Sequence, residues 1–182
     1  MLRKAWRASV AAFNRVFRGR HHVYRLEPGP RPACPGLAVE RYDRPEDVPD
    51  DIRQAVRRWG GEKAWTWDVR EMDDGAALWI GRLVGAVAAA WMSRPGSLFR
   101  AWFVPLRAED VVLFRGTTAP ELRGRGIGPA MMREIAGRSL ASEARVYVDV
   151  AVHNAPSIRA IEKAGFRRIA TCRPVSRKDA YA

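Results

Sequence analysis

The chain has 182 residues, of which 47% are hydrophobic, and a formal net charge of +12. That supports one well-packed core, falls short of two comfortable domains, and gives a field that draws polyanions: nucleic acid, anionic lipid or a phosphorylated cofactor. Cys34 and Cys172 stand far apart without metal-type spacing, which argues against a zinc site or a disulfide framework and fits two reduced thiols in the cytoplasm.

Residues 1–25 contain Arg3, Lys4, Arg7, Arg15, Arg18, Arg20 and Arg25 and no acid, with Leu2, Trp6, Val10, Phe13 and Phe17 at helical spacing. The expectation is a basic amphipathic helix. Its apolar stripe docks on the domain or on a second copy in a homodimer; the other reading is peripheral contact with an anionic membrane. It lacks the continuous apolar run of a signal peptide or membrane span. Residues 26–36 carry four prolines and two glycines and read as a linker. A domain is expected over 37–173, followed by a basic tail over 174–182.

Within the domain, 37–42 alternates like a strand, and 44–59 reads as a helix through Val48, Ile52 and Val56, ended by Gly60 and Gly61. Trp59, Trp65 and Trp67 cluster after it. Residues 76–80 and 84–91 read as a hairpin around Gly81 and Arg82, 98–104 as a further strand, and 109–117 as another. After a helix-like run from Pro129, 145–152 alternates with Val146, Val148, Val150 and Val152 on one face, and 166–172 is a last strand. An antiparallel first half followed by alternating strands and helices gives a mixed α/β sheet.

The most informative stretch is Arg123-Gly124-Arg125-Gly126-Ile127-Gly128, between the strand over 109–117 and the helix. Glycine lets backbone approach a ligand, and a helix start offers unpaired N–H groups and a dipole that favours negative charge. The combination makes a seat for a pyrophosphate. A P-loop would need Gly-Lys-Ser/Thr, and a dinucleotide fold three glycines at other spacings with an acid ending the next strand; neither fits.

Arg123-x-x-Gly126-x-Gly128 resembles the acyl-CoA signature of the GNAT superfamily of N-acetyltransferases. Asn154-Ala155-Pro156-Ser157-Ile158-Arg159-Ala160-Ile161-Glu162-Lys163-Ala164-Gly165-Phe166 is similar to that family's second block. The resemblance implies a mostly antiparallel central sheet whose two parallel strands splay at the cofactor slot, flanked by helices. It implies acetyl-CoA as cosubstrate and direct transfer to a primary amine of a small molecule, amino sugar or protein. It assigns the pantetheine arm to Arg115, Gly116, Thr117 and Thr118, and the pyrophosphate to Arg123, Gly124, Arg125, Gly126, Ile127 and Gly128. Asn154 is either a helix N-cap or a pantetheine contact, and Ser157 and Lys163 lie nearby.

The catalytic groups are harder to place. The family often sets a carboxylate on the strand before the glycine turn. Val112 holds the middle of that strand, which leaves Asp110 as the candidate base and Asp149 and His153 as alternatives. The tyrosine that many members use as general acid is replaced by Ile161. Neither cysteine sits in a nucleophile motif. A second reading is an acyl-CoA-binding or interaction module without turnover. No helix-turn-helix, zinc-finger or aromatic RNA-binding pattern supports a nucleic-acid partner.

Overall fold

The computed structural model describes residues 19–29, 34–139 and 144–173. Its strands are β1 (His21–Leu26), β2 (Leu37–Tyr42), β3 (Ala77–Leu83), β4 (Ala86–Pro95), β5 (Val111–Thr118), β6 (Val146–Ala151) and β7 (Phe166–Cys172). Four helices accompany them: α1 (Asp50–Gly60), α2 (Glu62–Asp73), α3 (Ile127–Ser139) and α4 (Ala155–Lys163). All seven strands form one sheet in the order β2-β3-β4-β5-β6-β1-β7, and only β5 and β6 are parallel.

Strand alternation divides the core between the two faces of the sheet. Val111 and Leu113 of β5 and Val146, Val148 and Val150 of β6 pack with Ile127, Met131, Met132 and Ile135 of α3. On the reverse face, Leu78 and Ile80 of β3 and Ala90 and Met92 of β4 pack with Ile52 and Val56 of α1 and Trp65 and Met72 of α2. Each fully buried side chain of this size contributes roughly 1.5–3 kcal/mol.

Several expectations need correction. The end of the predicted N-terminal helix is a strand: β1 runs between β6 and β7, so the sheet begins well before residue 37 and Leu26 belongs to it rather than to a linker. Residues 1–18, 30–33 and the tail from 174 lie outside the described residues. The hairpin turns at Val84 and Gly85, three residues later than expected. Residues 99–104 form no strand; after a 3-10 turn at Gly96–Leu98 the chain crosses the reverse face irregularly. The predicted first helix is shorter, with a 3-10 turn at Pro45–Asp47 before α1.

Helix α2 has no counterpart among the predicted elements. Trp65, Val69 and Met72 have helical spacing, but Asp68 and Glu71 are buried on the same side, which obscures the apolar stripe.

Candidate functional site

Strands β5 and β6 pair at three positions, Val111 with Val146, Val112 with Tyr147 and Leu113 with Val148. They then separate, although β5 continues to Thr118 and β6 to Ala151. The extended backbone of β5 beyond Leu113 therefore faces an opening. An extra β5 residue opposite β4 adds a bulge there: Met92 pairs with Phe114 and Ala90 with Thr117. Arg115 takes a positive φ of 54° within it.

The opening widens into a groove of about 640 Å³ on the α3 face. Its walls come from Gly116, Thr117 and Thr118 of β5, the glycine turn, the start of α3, and one side of α4. Gly124 and Gly126 have φ near +80°, a region that favours glycine, and nothing fills the space a Cβ would occupy. In the first turn of α3 the Ile127 and Gly128 amides have no carbonyl four residues back within the helix, and Pro129 has no N–H. Ala130 is the first to bond back, to Gly126 O at 3.1 Å. Arg123, Arg159 and Lys163 line the groove and, among the described residues, no acid does, so its charge selects an anion.

Trp91 forms the deep wall. Its indole lies so close over Gly116 that a Cβ there would overlap the ring. Its Nε1 is buried without a hydrogen-bond partner. A buried donor left unpaired costs about 1–3 kcal/mol, and this one borders the groove.

Asn154 caps α4: its Oδ1 accepts from Ser157 N at 3.3 Å. The cap uses only the oxygen, which leaves the NH₂ donors for an occupant. Ile161 lines the groove, and among the described residues no tyrosine does.

Thus Gly116, Thr117, Thr118, Arg123, Gly124, Gly126, Ile127, Gly128, Asn154 and Ser157 come together as expected. Arg125 is exposed and does not line the groove. Arg115 also departs from expectation. The bulge turns its side chain to the reverse face, where Nε donates to Asp68 Oδ1 at 2.6 Å and the guanidinium covers the Trp67 ring. Burial pushes the Asp68 carboxyl up, against the pull of Arg115. Sequence reasoning missed Trp91, whose role depends on a cross-strand neighbour.

Asp110 is not a base. It is 0% exposed and accepts from Arg107 N at 2.8 Å, from Arg145 N and Nε at 3.1 Å each, and from Arg145 Nη2 at 2.7 Å. Burial alone would raise its carboxyl; the Arg145 guanidinium and the two backbone donors outweigh that and hold it below the usual carboxylate range. It fastens the start of β5 to that of β6, at the closed end of the V that these two strands form, roughly 20 Å along the strand from Gly116. His153 is exposed in the turn after β6.

The Acetyltransferase (GNAT) family profile matches residues 38–166. Among solved structures, a GNAT-family acetyltransferase from Colwellia psychrerythraea is similar at 14% identity and a TM-score of 0.62, over 85% of this chain and 54% of its own. A putative GNAT-family acetyltransferase from Desulfovibrio desulfuricans gives 19% identity and 0.55, over 74% of this chain and 87% of its own. AAC(6')-Iy, solved in complex with the bisubstrate analogue CoA-S-monomethyl-acetylneamine, gives 15% and 0.56, over 74% and 92%. At these identities the likeness shows the fold. The chain spans 54% and 61% of the first two solved structures it matches. No curated protein matches it.

Proposed function

The chain belongs to the GNAT family of acetyltransferases, and from that premise we propose that it transfers an acetyl group from acetyl-CoA directly to a primary amine. The observation that carries this reading is the groove where β5 and β6 part, which combines an extended strand backbone, a glycine turn at a helix start and, among the described residues, three cations without an acid.

The residues present fit such a cosubstrate. Backbone amides of the turn from Gly126 to Gly128, with Arg123 nearby, suit a pyrophosphate. The free side of β5 from Gly116 to Thr118 offers donors and acceptors in a row for the amides of a pantetheine arm. The buried Trp91 N–H is a donor that an occupant would satisfy. When bound, acetyl-CoA supplies a thioester carbonyl; backbone N–H groups at the bulge beside Arg115 would stabilise charge developing on its oxygen. Neither Ile161 nor Asp110 supplies acid–base help.

Those two residues also favour a second reading, a module that binds acyl-CoA without turnover. Calorimetric titration with acetyl-CoA, combined with thiol release across a panel of amines, separates the two. Transfer requires saturable binding and acceptor-dependent thiol. A pure binder gives the first alone, and absence of both refutes the assignment of the groove.

A further inference from the structure

Transfer to an amine requires a group that takes a proton from the acceptor's ammonium form before its nitrogen can attack. Most carboxylates around the V are committed elsewhere. Asp110 holds Arg145, Asp68 holds Arg115, and Glu71 holds Arg94 at 2.8 Å. Asp149 differs in place and partner.

It follows Val148, the last residue of β6 paired with β5. Val148 and Val150 face the α3 core, so Asp149 points to the reverse face at the first position where the strands part. Strand β1 is the next neighbour of β6, with Val23 opposite Asp149 and His21 opposite Ala151. This register brings the His21 ring onto the same face, with Nδ1 2.6 Å from Asp149 Oδ2. Phe103 stacks on the imidazole at 5.4 Å between centroids and 24° between planes. A carboxylate only accepts, so Nδ1 carries the hydrogen and Nε2 keeps its lone pair. Among the described residues none hydrogen-bonds Nε2, and both side chains keep part of their surface open, 24% for His21 and 20% for Asp149.

We propose that His21 is the general base of the reaction and that Asp149 is its positioning residue, fixing the tautomer and the ring orientation. This rests on the acetyl-transfer reading above. A strand spacing of about 4.8 Å puts His21 two strands from β5, within reach of an amine approaching from the reverse face directly or through one water. The acceptor's ammonium proton passes to Nε2. The freed lone pair forms the C–N bond to the thioester carbon, and the C–S pair leaves on sulfur. The nitrogen's second proton ends on the thiolate, and His21 returns its own to water.

Among the described residues the other titratable group beside the ring is Cys172, opposite His21 on β7. Burial, and then the Asp149 charge, push that thiol up, so it stays protonated and uncharged near neutrality. Tyr147 lies two residues from Asp149 under Trp102, and Arg25 is paired with it farther along β1. His22 is on the opposite face, bonded to Thr171.

The test measures thiol release from acetyl-CoA against pH with simple primary amines, amino sugars and a lysine peptide, alongside calorimetric acetyl-CoA affinity. His21→Gln should lower kcat about a hundredfold, leave acetyl-CoA affinity unchanged and remove the acidic limb of the rate profile. Asp149→Asn should lower kcat and leave acetyl-CoA affinity unchanged, because the ring is no longer held in the Nδ1–H tautomer; a merely structural pair would leave kcat per folded molecule in place. If His21→Gln does not fold, kcat of Asp149→Asn per folded molecule decides. His21→Gln within about threefold of the parent with the same limb, or an unchanged kcat in Asp149→Asn, overturns the dyad and leaves acetyl transfer standing. A parent protein that binds acetyl-CoA and releases no thiol with any amine overturns the transfer reading, and the dyad with it.

Discussion

The two faces of the V are built from different materials. On the α3 side the functional surface is largely main chain: an unpaired stretch of β5, glycines with no side chain in the way, and the first amides of α3. On the reverse side it is side chains fixed by one another. Arg94 and Glu71 form a buried pair joined by Trp67 Nε1, Arg115 is held by Asp68, and His21 by Asp149. A backbone site suits a ligand common to a whole family, since most side chains around it can change without altering its donors. A site of paired side chains can change with each acceptor, and every substitution there also affects folding.

The contrast can be broken most severely at Glu71. Glu71→Ala leaves the Arg94 guanidinium, 3% exposed, without its carboxylate. The expected loss is about 3–5 kcal/mol of stability in urea unfolding, with acetyl-CoA affinity per folded molecule unchanged. Equal loss of affinity would show that the two faces are not separable.

Gly126→Glu is the opposite experiment. It puts a side chain and a negative charge where backbone amides should meet an anion, at a φ of 81°. Acetyl-CoA affinity should fall at least about a hundredfold, or about 2.7 kcal/mol, while circular dichroism reports an intact fold. Affinity like the parent's would refute the placement of the pyrophosphate.

Asp110 tests the closed end of the V. Asp110→Asn should cost about 1.5–3 kcal/mol without the loss of turnover expected of a base. The pH dependence has a definite sign. The folded carboxyl lies below its unfolded value, so its stabilisation is complete above the unfolded value of about 3.9 and is lost as pH falls through the folded one. The midpoint of urea unfolding should therefore drop on acidification, and less in Asp110→Asn.

The smallest effect is expected at Trp91. Trp91→Phe keeps most of the ring over Gly116 and removes the N–H. A loss of about fivefold in acetyl-CoA affinity, near 1 kcal/mol, with unchanged stability would assign that donor to the occupant. A gain in stability with no change in binding would leave it merely an unpaired group.

The parts of this protein legible in the linear order of residues are those whose cause is local. The glycine turn, the alternation of Val146, Val148 and Val150, the cap by Asn154 and the turn at Gly165 each follow from backbone conformation or from a period of two or 3.6 within a few residues. The rest depends on which strands become neighbours. His21 meets Asp149 across 128 positions and Arg115 meets Asp68 across 47, and Trp91 closes over Gly116 from the next strand. No local period records such pairings, because they arise only when burial of two apolar faces fixes strand order and register. Thus the sequence by itself determined the family, the mixed α/β class and the glycine turn before α3. Tertiary structure decided that β1 enters the sheet interior, that Asp110 is tied to Arg145, and that His21 meets Asp149 where the strands part.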